Sequence, residues 1–223
     1  MLRLHVLSLR TKITAAFVLV VLGGAAVSML IGSRIVTGAV LDQARQRARQ
    51  GLATALLGCR SRQEQVAEAV LRAAERWRID GTAGERGVLD VLLFTSEERE
   101  TPSLRRALVG QIASGAELYR GDVVLAAAVP VHGGAIYGAM RLDPGSPSLR
   151  EIEALVFGAD PSMGRISVVP AGIPVPPGEG VRTLSVSLPD AGGAAAASLS
   201  ISVLERPYLA VRTQMMLTFL LVA

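Results

Sequence analysis

The sequence contains little of the chemistry on which enzymes and metalloproteins depend. Its 223 residues include one cysteine and two histidines, so an intramolecular disulfide is excluded. No His, Cys or carboxylate cluster has the spacing of metal ligands. No serine lies in a nucleophile elbow, and no glycine-rich loop connects a strand to a helix. We therefore expect no catalytic residue, no metal site and no cofactor, and an enzyme ranks below any binding role.

Acidic residues are absent from the first 34 positions, which contain four basic residues. The other 19 basic residues are balanced by 19 acidic residues, so the net charge of +4 belongs wholly to the N-terminal region. No basic patch remains for phosphate binding, and we expect no nucleic-acid partner. The positive-inside rule favours a cytoplasmic tail at residues 1–12, although arginines that follow residue 33 weaken this bias.

Residues 13–33, ITAAFVLVVLGGAAVSMLIGS, are free of charge and are flanked by Lys12 and Arg34. A helix of this length rises about 31 Å, which matches the hydrocarbon thickness of a bilayer. The segment therefore predicts a transmembrane helix in contact with membrane lipid. Gly24, Ser28 and Gly32 recur at every fourth position and predict a face for close helix packing, with exposure to lipid as the alternative.

Two other interpretations concern processing of the N-terminal region. A signal peptide cleaved after the small residues 23–26 is disfavoured because the apolar run continues to Ile31. The residues before Cys59 resemble a lipoprotein acylation site, but a charged stretch separates them from the apolar run. We expect Cys59 to be a small buried hydrophobic residue.

Residues 34–80 show helical periodicity and predict a stalk that continues the transmembrane helix. The apolar or small residues of its stripe are Val36, Val40, Ala44, Ala48, Leu52, Ala55, Cys59, Val66, Val70, Ala73 and Trp77. This stripe can pair with a second subunit in a homodimer or pack against the domain of its own chain. Gly58 is a candidate break in the helix.

Residues 81–206 change to strand periodicity interrupted by two helices. We expect a helix that begins at Pro102 after an N-cap at Thr101 and ends at Gly115, and a second helix from a capping box at Ser148 to Phe157. The predicted strands are residues 88–94, 123–131, 135–142, 165–169, 181–188 and 194–204. The sum is an α+β domain with an antiparallel sheet of about five or six strands.

The first predicted hairpin carries the candidate ligand-binding residues. Tyr119, Arg120 and Asp122 lie at its start, and Tyr137 and Arg141 lie on its return strand. The even spacing of Tyr137 and Arg141 places them on one face, where an arginine can bind a carboxylate ligand. The alternative is a solvated face with ordinary surface arginines.

The last nine residues are apolar and uncharged. Because they form too short a helix to cross a bilayer, we expect residues 207–223 to begin a second transmembrane helix that continues in a longer protein. The alternative is an apolar C-terminal helix that packs on the domain.

The order of segments resembles bacterial receptors with an extracytoplasmic Cache domain, above all membrane sensor histidine kinases. The likeness is carried by Pro130-Val131 before the hairpin turn, by Gly138 in the return strand, and by Glu205-Arg206-Pro207-Tyr208 at the exit of the domain. Flanking stretches that match are LRTKI, the stalk LDQARQRARQGLATA and the strand LDVLLF. The segment 143–180 is shorter than its counterpart in those receptors.

The resemblance implies a PAS-like sensor domain outside the cytoplasm, an inner-membrane location, and a downstream HAMP linker with a kinase or other output module. We therefore expect the sensory region of a transmembrane receptor in a two-component system, with the helix 36–77 and the exit 205–214 as carriers of the signal. The alternative is an envelope scaffold protein with two spans whose outer domain binds other proteins.

Overall fold

The computed structural model divides into two compact units, one formed by Met1–Arg45 with Glu205–Ala223 and the other by Gln46–Leu204. The predicted exit 205–214 and second transmembrane helix 207–223 lie largely outside the residues described. The structure describes residues 9–84, 87–97, 101–158, 163–174, 181–204, 210, 213–214 and 217–218.

The first helix, α1, extends from Leu9 to Asp80 and includes both the charge-free segment and the predicted stalk. It continues through Gly58 without a break. The reason for this glycine is a close approach, because a Cβ there would lie 3.2 Å from Cγ1 of Ile152. Gly51 likewise faces Val156, so these two glycines let α1 pack closely on its neighbours in the Gln46–Leu204 unit.

The described residues of the unit Gln46–Leu204 form two antiparallel sheets and two short helices, besides the part of α1 that lies in this unit. The first sheet has the strand order β1-β4-β3-β2, and the second has the order β5-β7-β6. Its elements are β1 (Val91–Thr95), α2 (Pro102–Leu108), β2 (Ala113–Tyr119), β3 (Asp122–Val131), β4 (Gly134–Arg141), α3 (Pro147–Phe157), β5 (Gly164–Pro170), β6 (Val181–Pro189) and β7 (Ala195–Leu204). The α+β class is confirmed, but the single sheet expected from the sequence is two sheets of four and three strands.

The apolar stripe of α1 packs against the domain of its own chain. Trp77 stacks on Phe94 of β1 with ring centroids 4.4 Å apart, and Nε2 of Gln63 donates to Oγ of Ser114 on β2 at 3.3 Å. A Cβ on Gly138 of β4 would collide with Val70 of α1. Within the Gln46–Leu204 unit, six stripe residues are buried, namely Ala48, Ala55, Cys59, Val66, Val70 and Ala73.

Two helix boundaries differ from those expected. Helix α2 begins at Pro102 as predicted, but it ends at Leu108, and Gly115 lies in β2 instead of closing the helix. A Cβ on Gly115 would collide with the backbone of the turn at Asp190, so close approach of the second sheet explains this glycine. Helix α3 begins at Pro147, because Oγ of Ser146 accepts the amide hydrogen bond that caps it.

Candidate functional site

The first sheet buries a carboxylate that hydropathy does not predict. In β2, Glu117 is 1% exposed, whereas its neighbour Leu118 is 46% exposed. Glu117 pairs with Val124 of β3, which belongs to the buried cluster on the face covered by α2. Because successive side chains of a strand point to opposite faces, Glu117 turns into this core and Leu118 turns away from it.

Glu117 connects the sheet to the helix that covers it. Its Oε1 accepts a hydrogen bond from the hydroxyl of Tyr137 at 2.8 Å, and its Oε2 accepts one from the backbone N–H of Ser103 at 3.1 Å. Ser103 lies in the first turn of α2, where backbone N–H groups have no partner within the helix. The Thr101 side chain makes no capping hydrogen bond, so Glu117 provides the cap from a neighbouring strand.

Small residues allow Tyr137 to reach Glu117 across β3. Tyr137 pairs with Ala128, and Ala139 on the same face pairs with Ala126. Leu104 of α2 is buried in the same cluster. The alanines leave space above β3, and the Tyr137 ring occupies that space with only 1% of its surface exposed.

Burial raises the pKa of Glu117, because transfer of a carboxylate from water into the core penalises the charged form. The backbone N–H of Ser103 and the hydroxyl of Tyr137 oppose this shift, and the negative charge of Asp190 adds to it. The Ser103 hydroxyl also lowers the pKa, although it makes no hydrogen bond of standard geometry. Burial and the adjacent Glu117 raise the pKa of the Tyr137 phenol, so this phenol remains a donor.

The five predicted ligand-binding residues lie close together but do not form an open site. Tyr137 is buried beneath α2, and its ring centroid lies 5.7 Å from that of Tyr119. Arg120 occupies a turn with a positive φ of 54°, and its guanidinium lies 5.4 Å from the Tyr119 ring centroid. Arg141 is half-exposed, with its Nε 3.7 Å from Oδ2 of Asp122. Ligand binding by these residues stays a prediction.

Three cavities occur elsewhere in the described part of the Gln46–Leu204 unit. One of about 430 Å³ lies between α3 and β5, and one of about 390 Å³ lies between α1 and the β6–β7 hairpin. A third, of about 600 Å³, lies between the end of α2 and the β3–β4 turn. None of the five predicted residues lines any of the three.

Helix α1 is the element that suits a membrane. Among the described residues it is the one helix long and apolar enough to cross a bilayer, and none of its most apolar window is buried. A Cβ on Gly24 or Gly32 would contact nothing, and Ser28 is exposed, so the small-residue face has no neighbour in the described chain. A signal sequence near an N-terminus meets the same test of length and hydropathy, so these properties are compatible with a membrane protein without placing the helix in a membrane.

Comparisons of the chain with protein-family models, with curated proteins and with solved structures each found no match. Within the described ranges, no group of three His, Cys, Asp or Glu side chains is placed to hold a metal ion. The site residues that sequence reasoning missed are Glu117 and Ser103. The only signal for Glu117 was its even spacing from Ala113 and Gly115 in a strand that the sequence did not reveal.

Proposed function

We propose that this chain is the sensory region of a bacterial membrane receptor of the Cache type. In this proposal residues 13–33 cross the inner membrane, and the Gln46–Leu204 unit lies outside the cytoplasm and responds to a small molecule. In the sensor histidine kinases that the sequence resembles, the output module is a kinase. The observation that carries the proposal is the continuity of α1.

A single helix contains both the apolar segment and the residues that hold the first sheet. Val70 lies against Gly138, and Trp77 stacks on Phe94, so a change in this sheet acts directly on α1. A signal that crosses a membrane requires helices with at least two discrete arrangements. A helix with one end in lipid and the other packed on a sheet supplies the physical connection for such a change.

The test uses the full chain reconstituted in lipid nanodiscs and a panel of amino acids and small carboxylates. We expect at least one compound to raise the thermal unfolding midpoint of the chain, since a ligand that binds the folded state stabilises it. The same compound should change the rate of disulfide crosslinking between Leu57→Cys chains in a Cys59→Ala background. A panel that shifts neither quantity would contradict the sensory role and favour a scaffold protein.

A further inference from the structure

We propose that Glu117 is a proton-binding site and that proton uptake there loosens the cap on α2, so that acidity is a stimulus of this domain. The titration and its effect on α2 stand on the geometry of the Gln46–Leu204 unit alone. That acidity acts as a stimulus rests on the proposed sensory function. The two parts have separate tests.

The geometry makes the strength of the α2 cap depend on the charge of Glu117. When the carboxyl is ionised, Tyr137 and the Ser103 amide donate to a full negative charge. Hydrogen bonds to a charged acceptor are roughly twice as strong as those between neutral groups. Proton uptake removes the charge, and both hydrogen bonds weaken. The Tyr137 hydroxyl can rotate and accept, but the Ser103 amide can only donate.

Two hydroxyl groups beside the cap have no hydrogen bond. Oγ1 of Thr101 and Oγ of Ser103 are buried without a partner, although both residues lie within or next to the first turn of α2. A buried polar group without a partner costs free energy, so this end of the helix is not optimised for one fixed arrangement. The Ser103 hydroxyl already lowers the pKa of Glu117, so it is an alternative partner for the carboxyl when Glu117 binds a proton.

The surrounding groups favour proton uptake at Glu117. Burial raises its pKa above the ordinary value of 4.5, and the charge of Asp190 in the β6–β7 turn acts in the same direction. Tyr137 from β4 donates to Glu117, and the ring of Tyr119 from β2 lies 5.7 Å from the Tyr137 ring. On α2, Arg105 and Arg106 are exposed, and on β3, Asp122 lies beside Arg141.

The sign of the resulting stability change follows from the direction of the shift. A carboxyl with a raised pKa in the folded state binds its proton more readily than it does in the unfolded chain. The stability that Glu117 contributes is therefore complete below its pKa in the unfolded chain. This contribution is lost as the pH rises through its pKa in the folded state. Through Glu117 alone, proton uptake stabilises the folded unit, while it weakens the hydrogen bond from the Ser103 amide.

The first experiment follows Glu117 and two backbone amides in the full chain in nanodiscs by NMR. We expect the side-chain carboxyl signal of Glu117 to titrate above 4.5. On acidification, protection of the Ser103 amide, corrected for intrinsic exchange, should fall about fivefold. The Leu149 amide is the matched control, because the Ser146 hydroxyl that caps it does not titrate. A Glu117 titration at or below 4.5, or equal behaviour of both amides, would overturn the proposal.

Three substitutions separate this role from a purely structural one. Glu117→Gln should abolish the pH dependence at Ser103, whereas Tyr137→Phe removes one donor to the carboxylate and should move the titration to higher pH. Glu153→Gln is the control, because Glu153 also accepts a backbone N–H, from Ile166 at 3.0 Å. It should leave the Ser103 titration unchanged. If Tyr137→Phe moves the titration to lower pH or not at all, the proposed hydrogen bond does not tune Glu117.

The role of acidity as a stimulus is tested with variants at one fixed neutral pH. Because Glu117→Gln imitates the protonated side chain, it should change crosslinking of Leu57→Cys chains relative to the parent chain, and Glu153→Gln should not. Equal crosslinking of all three would overturn acidity as a stimulus. That outcome would not affect the proposed sensory function, which the ligand panel tests separately.

Discussion

At the scale of single residues, glycines mark the contacts on which the fold depends. Gly138 lies in the middle of β4, where a side chain would normally favour the strand. The sequence linked Gly138 only to a family resemblance. The structure gives the reason for this glycine, because Val70 and Leu89 occupy the space of its missing Cβ. The partner residues are distant in sequence, so this contact is not visible from local pattern.

Gly138→Ala should destabilise the Gln46–Leu204 unit by about 1–3 kcal/mol, because the added methyl group overpacks the contact with α1. The measurement is denaturant unfolding of the full chain in detergent, followed by Trp77 fluorescence. Gly38→Ala is the control, since a Cβ there meets nothing within 4 Å and alanine favours a helix. Equal unfolding midpoints for the two variants would contradict the packing described.

The buried thiol of Cys59 should react slowly in the folded chain. Cys59 is 2% exposed, and burial raises its pKa from 9.0 to about 11. The thiolate is the reacting form, so near neutral pH its population falls about a hundredfold below that of an ordinary cysteine. Labelling with a maleimide reagent should be slow in the native protein and rapid in denaturant. Fast native labelling would show that Cys59 is accessible.

At the scale of elements, periodicity identified α1 and most strands correctly, but it did not predict which strands pair with each other. β3, β4, β5, β6 and β7 were predicted within one or two residues. β2 was missed because its sequence, ASGAELY, is rich in small residues and its Gly115 was interpreted as the end of a helix. The division into two sheets depends on which strands pair across distant parts of the chain, and a sequence pattern does not contain that information.

Glu117 illustrates the same limit for the candidate site. A charged residue is normally exposed, and its burial here depends on Tyr137, twenty positions away, and on the cap of α2. The sequence placed Tyr119 and Asp122 at the start of the hairpin and Tyr137 on its return strand, and the structure pairs Tyr119 with Asp122 and Tyr137 with Ala128. It did not show that α2 covers Tyr137.

The outer face of α1 provides a test of the homodimer proposal. Because the stripe packs against its own chain, we expect a second copy to contact the opposite face of α1. On that face, Leu57 is 64% exposed and Leu71 is 38% exposed. These two leucines are two heptads apart and lie on one side of the helix. In membranes, Leu57→Cys in a Cys59→Ala background should form a disulfide-linked dimer at low protein density.

Leu118→Cys in the same background is the matched control for crosslinking. Leu118 is also an exposed leucine, but it lies on β2 and points away from the core covered by α2. It should give little dimer under the same conditions. Equal crosslinking at both positions would indicate random collisions and would contradict pairing through α1.

At the scale of the whole molecule, the chain combines an apolar N-terminal helical segment with an α+β unit that buries the Glu117 carboxylate. The charge pattern favours a cytoplasmic tail, and the length of residues 13–33 matches a bilayer. The sensory proposal requires that this unit be on the far side of the membrane from the tail.

Labelling from outside spheroplasts with a membrane-impermeant maleimide tests that requirement most directly. The variants are Leu118→Cys and Leu9→Cys, each in a Cys59→Ala background, because both leucines are exposed. We predict that Leu118→Cys is labelled in intact spheroplasts and that Leu9→Cys is labelled only after the membrane is permeabilised. Labelling of Leu118→Cys only after permeabilisation, or extraction of the protein without detergent, would contradict the account.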